Sequence, residues 1–345
     1  MMRSEKALAG PGPTFTIAIP TFNRAHHLRA CLASALAQTC PDFEVVVSDN
    51  ASTDATPEVL AAYDDPRLRI LRQPHNIGLI SNWNACLRAA RGAYIVILSD
   101  DDAAAPDFLA RCAALIASHP GIPIVVGLSD LHAQAFGRTH PARRSRRLRT
   151  GVCAGTAVLS EFLNDRISVT MCSVVMRTSV LRGHGGIQPR FPHMADIVAW
   201  MPMLLLGEAG FVNEPCATFT YHDGSATSRM GAEQRLLDGA RVVGLVSDAA
   251  RSSVADLDHR VRIDADLRGF FARRGLLTLS DQRRAGAGAW TLLTLAWRYR
   301  RDLAAADLRA AAAFAAKVVL PRAAGDWLRR LSFRRSETGH FRPID

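Results

Sequence analysis

The stretch Tyr94 to Asp102, YIVILSDDD, governs how the rest of the chain can be arranged. Tyr94, Ile95, Val96, Ile97 and Leu98 form an apolar run without polar alternation, the pattern of a strand covered on both faces. It runs into consecutive carboxylates, Asp100, Asp101 and Asp102, which repel one another. A hard divalent cation sharing their oxygens would offset that repulsion. Ligands of open α/β sheets sit at the carboxyl ends of the strands, where this triplet falls. The same residues also fit a solvated turn whose last aspartate caps a helix opening at Pro106.

Upstream, strands and helices alternate. Phe15 to Ile19 reads as a short strand stopping at Pro20, and Asn23 as the cap of a helix in which Leu28, Cys31, Leu32, Ala35 and Leu36 recur at helical spacing. Phe43 to Val47 predicts a second strand, ending in the turn-forming run Ser48 to Asp54. Leu68 to Leu71 predicts a third, followed by the turn His75-Asn76-Ile77-Gly78 and a helix from Leu79 to about Ala90. This order predicts a parallel, three-layer α/β sheet.

Beyond the triplet, helices are expected from Pro106 to about Ser118 and from Ala195 to Leu206. Strands are expected at 122–127, 169–176 and 216–221. Phe136 to Thr150 has poor periodicity and six arginines, which predicts a mobile surface loop. From Gly231 the sequence turns to helices rich in Ala, Leu and Arg. The expected organisation is therefore a flexible leader over 1–13, broken by Gly10, Pro11, Gly12 and Pro13, an α/β domain over 14–230 and a helical region over 231–345.

The formal charge of +10 points to an anionic partner: nucleic acid, a phosphorylated small molecule or an anionic lipid surface. The seven cysteines are scattered singly, which suggests neither a disulfide framework nor a zinc site and fits a reducing compartment. The most apolar candidate for a membrane span, 303–320, carries Asp307, Arg309 and Lys317.

Five segments together resemble the family 2 glycosyltransferases, which have the GT-A fold. They are TIAIPTFNR at 16–24, FEVVVSDNASTD at 43–54, HNIGLISNWNACLRAARGAYIVILSDDD at 75–102, Pro106 four residues after the last aspartate, and YHDGS at 221–225. The resemblance implies a GT-A catalytic domain over 14–230 that moves a sugar from a nucleotide-diphosphate donor to an acceptor hydroxyl, with inversion and with Mn²⁺ or Mg²⁺. The acceptor would be a glycan or a lipid-linked molecule in surface polysaccharide, glycolipid or glycan biosynthesis.

Carried over by position, the resemblance places Pro20, Thr21 and Asn23 at the lip of the nucleotide pocket and Asp49 against the base, with Asn76 beside the nucleotide. Asp101 and Asp102 match the second half of the family's DxD element and would hold the metal. Ser99 stands where the family often has its first aspartate, so Asp100 can take that residue's place on the nucleotide, and the division of labour within the triplet stays open. Asp196 matches the second member of the acidic pair that supplies the base, with Ala195 as the first. His222 would approach the metal or diphosphate, and Arg229 the diphosphate. Each also has a plainer reading: Asp49 as a strand terminator, Asn23 as a helix cap, Asp196 as a first-turn acid stabilised by the helix dipole, and His222 as a turn residue.

Processive members of the family carry a QxxRW element and spanning helices. Gln234-Arg235-Leu236-Leu237 does not fit that element, so a non-processive enzyme is expected. A sugar-phosphate nucleotidyltransferase is the competing enzyme class, but its glycine-rich basic loop after the first strand is missing at Pro20 to Asn23. A basic nucleic-acid binder is a third reading, and the arginines lack the interleaved aromatics it would need. Trp290, Trp297 and Trp327 lie among arginines, which suits either a solvated helical bundle or an anionic membrane surface. The expected location is cytoplasmic, at the inner face of the membrane.

Overall fold

The computed structural model describes residues 12–222 and 231–319. The chain divides into two compact units. The first comprises residues up to Val158, then Ile167–Arg190 and Ala195–Tyr221; the second comprises Leu159–Arg166, Phe191–Met194 and the chain from His222 onward.

The first unit is built on a ten-stranded sheet. Its strands are β1 (Phe15–Thr21), β2 (Phe43–Asp49), β3 (Leu68–Arg72), β4 (Tyr94–Ile97), β5 (Ala103–Ala104), β6 (Ile124–Ala133), β7 (Arg138–His140), β8 (Gly151–Ala154), β9 (Val174–Arg177) and β10 (Glu208–Tyr221). They lie in the order β3-β2-β1-β4-β9-β6-β10-β5, with β7 against β6 and β8 against β10. β1, β2 and β4 are buried along their whole length, as their unbroken apolar runs require. β3 is only partly buried, and its Leu-Arg-Ile-Leu-Arg sequence suits an edge.

The first four strands run parallel, as expected. The sheet as a whole is mixed, because β9 runs antiparallel to both β4 and β6, and β5, β7 and β8 also pair antiparallel. An apolar run such as Val174-Val175-Met176 reads the same whichever way its strand points, so the sequence predicts its burial without its direction.

Helices α1 (Ala25–Leu36), α2 (Thr56–Ala61), α3 (Leu79–Ala89) and α4 (Phe108–Ser118) connect and cover the strands. Leu28, Cys31, Leu32 and Ala35 of α1 join Ile17, Ile19, Val45, Val47, Val96 and Leu98 of the sheet side, with Phe108 and Leu109 of α4, in one apolar cluster. Burying a side chain such as Leu32 contributes about 1.5–3 kcal/mol. This cluster holds the strand ends that carry the polar residues discussed below.

Three further segments depart from expectation. The region 136–150 is pinned rather than mobile: Asn213 accepts from the Ser145 amide through Oδ1 and donates through Nδ2 to the Ser145 and Leu148 carbonyls. The strand expected at 216–221 is the end of the 14-residue β10, whose irregular register around Pro215 marks bulges where the chain re-aims. The helix expected over 195–206 is α7 (Ala195–Trp200) followed by a 3₁₀ turn, Met201–Leu205, in which Pro202 lacks the donor a continuing α-helix needs. Helices α5 (Gly155–Leu163) and α6 (Thr178–Gly183) precede α7 in sequence.

The second unit is helical from α8 (Ala232–Ser253) through α9 (Leu257–Arg284), α10 (Ala289–Arg298), α11 (Arg300–Leu303) and α12 (Leu308–Val319). Its small core gathers Leu236 of α8, Leu276 and Leu279 of α9, Leu292 of α10 and Phe314 of α12. Among the described residues no helix is long and apolar enough to cross a membrane.

Candidate active site

The parallel registers bring the carboxyl ends of β2, β1 and β4 to one edge. Thr21 stands opposite Asp49, and beyond the last β1–β4 pair the Leu98 amide donates to the Ala18 carbonyl. Two residues further, the Thr21 hydroxyl donates to Asp100 Oδ2 at 2.7 Å, a buried bond between residues 79 apart in sequence. β1 and the acidic triplet are thereby tied directly together.

The triplet is a tight turn, closed by the Asp102 amide donating to the Ser99 carbonyl at 3.0 Å. Asp100 and Asp102 are buried and Asp101 is half-buried. Burial, with the charge of Asp101 next, pushes the Asp100 carboxyl up to about 7, against the Thr21 hydrogen bond and Arg24. Burial and Asp101 likewise raise Asp102 well above the usual carboxylate range, although the Thr220 amide donates to its Oδ1 at 2.8 Å. β5 continues the turn and pairs with Ala217 and Thr218 of β10, which sets the Thr220 amide in place.

On the other side of β1, Asp49 is 1% exposed at its side chain. Its Oδ1 accepts from the Ser52 amide at 2.9 Å. Its Oδ2 lies 3.2 Å from Arg72 Nη1, yet at an angle that leaves this buried oxygen without a hydrogen bond. A buried carboxylate oxygen that meets an ion pair but no hydrogen bond is ready to accept a donor.

Asn23 is left-handed, with φ 54°. Its amide donates to Ser52 Oγ at 2.9 Å and its Oδ1 accepts from the Thr53 amide at 2.8 Å. It is therefore not the cap of α1, where Arg24 stands and makes no side-chain cap bond. Asp54 Oδ2 reaches across from the turn after β2 to accept the Ala25 amide instead, leaving Asn23 to join the two loops.

Asn76 is linked to the same edge through Asn50. Asn50 donates to Asn76 Oδ1 and accepts from the Ile77 amide, each at 2.9 Å, while its own amide donates to the Thr21 carbonyl. Pro20 lies in β1 opposite Ser48. Pro20, Thr21, Asn23, Asp49, Asn76 and the aspartate triplet thus belong to one continuous rim.

Asn50, Ser52 and Arg72 complete this rim and were not singled out by sequence. Asn50 and Ser52 lie inside the turn run SDNASTD, whose local bonding masks a role across strands; Arg72 sits on an edge strand and gives no local signal. Asp196 lies on a separate element, in the first turn of α7, where burial raises its carboxyl above the ordinary range against the Ile197 amide. His222 follows β10 and is buried. Arg229 lies outside the described residues.

The donor set of the triplet suits a hard cation. Its oxygens are crowded, and burial with mutual repulsion raises the carboxyls of Asp100 and Asp102, a cost that a divalent ion would relieve. Among the described residues no group of three His, Cys, Asp or Glu is placed to hold an ion by itself. A cation here would take the rest of its oxygens from a bound ligand, as magnesium and manganese do on diphosphates.

Comparison with known proteins finds the same fold elsewhere. Staphylococcus aureus TarS residues 1–349, solved in complex with UDP-GlcNAc, superpose with a TM-score of 0.62 over 85% of this chain and 89% of that one, at 18% identity. A Pyrobaculum calidifontis mannosyltransferase, PcManGT, solved with GDP-Man and Mn²⁺, superposes with a TM-score of 0.53 over 93% and 85% at 20% identity. In sequence, the succinoglycan biosynthesis protein ExoO of Rhizobium meliloti is 41% identical over 99 residues, 29% of this chain and 28% of that protein.

The mixed sheet, its covering helices and these superpositions define the GT-A fold. Residues 16–181 match the family model described as glycosyl transferase family 2, which holds β1 to β4, the aspartate triplet and the β9 strand. Over those residues the chain carries a glycosyl transferase family 2 domain.

Proposed function

We propose that this protein is an inverting, non-processive glycosyltransferase that moves a sugar from a nucleotide-diphosphate donor to an acceptor hydroxyl, in building a polysaccharide or glycolipid. The observation that carries the reading is the rim itself: an Asp49 oxygen without a hydrogen bond and a buried acidic turn are joined across β1 by Thr21. One end offers an acceptor for a base N–H and the other offers oxygens for a diphosphate-bound cation, as a nucleoside diphosphate requires.

In this reading Asp49 receives the N–H of the base. Pro20, Thr21, Asn23 and Asn76 wall the nucleoside, with Asn50 fixing Asn76, and Asp100, held by Thr21, faces the ribose and diphosphate. Asp101 and Asp102 would hold Mn²⁺ or Mg²⁺, which when bound would stabilise the charge that grows on the departing diphosphate. Asp196 takes the proton of the acceptor hydroxyl as its oxygen attacks the anomeric carbon from the face opposite the leaving group. The new C–O bond forms as the bond to the diphosphate oxygen breaks. A positioned base of this kind contributes roughly 10²–10⁴ in rate.

Base recognition of this sort is what a UDP or GDP donor would exploit, and the complexes of TarS and PcManGT with such donors support that choice of class. A mass-spectrometric screen of nucleotide sugars against glycan and lipid-linked acceptors tests the reading. It should show one or a few donors consumed with release of the nucleoside diphosphate. Release of pyrophosphate from a nucleoside triphosphate and a sugar phosphate would instead reveal a nucleotidyltransferase.

A further inference from the structure

The second unit exposes an apolar helix face that its own core does not use. On α10, Leu292 is buried in the small helical core, with Leu295, Ala296 and Tyr299 packed partly against it. The opposite face carries Trp290, 83% exposed, and Trp297, 69% exposed, with Leu293 between them in register. Positions 290, 293 and 297 are spaced three and four apart and share one side of the helix. The helix is therefore apolar on both sides, and only one side is satisfied.

Bulky aromatic side chains are seldom left in water to this extent, and an exposed apolar patch of this kind marks an interaction surface. The surroundings say which. Arg298, Arg300 and Arg301 follow the tryptophans immediately, and the Arg300 guanidinium lies over the Trp297 ring at 4.6 Å from its centroid. Leu308, 88% exposed, and the exposed Arg309 open α12.

Arg298 is engaged by Glu233. Among the described residues, no carboxylate forms an ion pair with Arg300, Arg301 or Arg309. Indole rings prefer the boundary between hydrocarbon and headgroup, and guanidinium groups on flexible stems reach anionic phosphates just above it. A folded protein partner would have to offer an apolar groove rimmed with acids. An anionic bilayer offers both layers in the right order.

We propose that α10 and the start of α12 form the docking surface of this protein on an anionic lipid bilayer, with Trp290, Leu293 and Trp297 at the headgroup boundary and Arg300, Arg301 and Arg309 on the lipid phosphates. The surface does not depend on which donor the first unit uses. It would hold the enzyme where a lipid-linked acceptor is presented.

The test is co-sedimentation of the full chain with vesicles of pure phosphatidylcholine and of phosphatidylcholine containing phosphatidylglycerol, at low and high salt. Binding should require the anionic lipid and weaken as salt screens the arginines. Trp290→Ser with Trp297→Ser should reduce partitioning at least tenfold, and Arg301→Glu with Arg309→Glu should reduce it about tenfold or more, with unchanged circular dichroism. Each replaced side chain is exposed, so folding is not at stake.

Wild-type binding to phosphatidylcholine alone, no binding to anionic vesicles, or full binding by the double tryptophan variant would each overturn the proposal. So would sedimentation equilibrium showing lipid-free dimers that the tryptophan replacements dissociate, since the face would then meet a second copy of the chain.

Discussion

The hydroxyl of Thr21, the last residue of β1, donates to the buried carboxylate of Asp100 at 2.7 Å, and this bond locks the acidic turn to the edge that carries Asp49. Thr21→Val keeps the shape and removes the donor. Leaving a buried carboxylate oxygen without its partner costs about 1–3 kcal/mol, measurable by chemical denaturation. Donor affinity should fall as well, because the turn loses its anchor, whereas Thr21→Ser should retain most of both.

Replacing Asp101 and Asp102 together with Asn should abolish the divalent-ion dependence of nucleoside diphosphate binding. Asp102 is buried and accepts the Thr220 amide, so the variant also tests structure. An Asn oxygen can keep that bond, and the melting temperature should therefore change by only a few degrees. Full metal-dependent affinity in the folded variant would remove both residues from the metal site.

Asp196→Asn should leave donor binding intact and reduce transfer by roughly 10²–10⁴. Burial raises the Asp196 carboxyl above its ordinary range, and a base must be ionised to act. The wild-type rate should therefore fall as pH drops through a value higher than that of a free aspartate. The stability effect has the opposite sense: a carboxyl whose folded pKa is raised favours folding below the unfolded value and loses that contribution as pH rises. At neutral pH Asp196→Asn should be at least as stable as the wild type. A transfer rate unchanged by the substitution would remove Asp196 from the reaction.

Gly127 in β6 is a packing test remote from the rim. A Cβ there would lie 2.5 Å from Cys216 Sγ and 2.8 Å from Cys216 Cβ, inside the core between β6 and β10. Gly127→Ala should cost about 1–3 kcal/mol by overpacking. Gly127→Ala with Cys216→Ala removes the clash with Sγ but keeps the one with Cβ, so it should recover only part of the loss, as denaturant melts of the four proteins would show.

The order of the first four strands and three of their helices was legible because each strand is a short apolar run and each helix repeats its buried face at helical spacing. Direction was not legible for β9, nor was the full length of β10, because burial leaves no mark of polarity and the bulges around Pro215 break the pattern. Asp100, Asp101 and Asp102 could be named from a strand end, where polar side chains interrupt an apolar run, whereas Thr21 and Asp49 were placed by the resemblance to family 2 glycosyltransferases. What holds them could not: Asn23 joining Thr53, Asn50 joining Asn76 and Arg72 flanking Asp49 are bonds between segments brought together only by the sheet. The pinning of the arginine-rich segment 138–149 by Asn213 escaped notice for the same reason.

The central claim is that the carboxyl ends of β2, β1 and β4 form a nucleoside diphosphate site. Calorimetric titration of UDP, GDP and TDP into the wild type and Asp49→Ala, each with Mn²⁺ and with a chelator, tests it most directly. The account predicts that one of these nucleotides binds the wild type, that chelation weakens it strongly, and that Asp49→Ala loses at least tenfold in affinity while remaining folded. No binding of any of the three, or binding unaffected by Asp49→Ala, would contradict it.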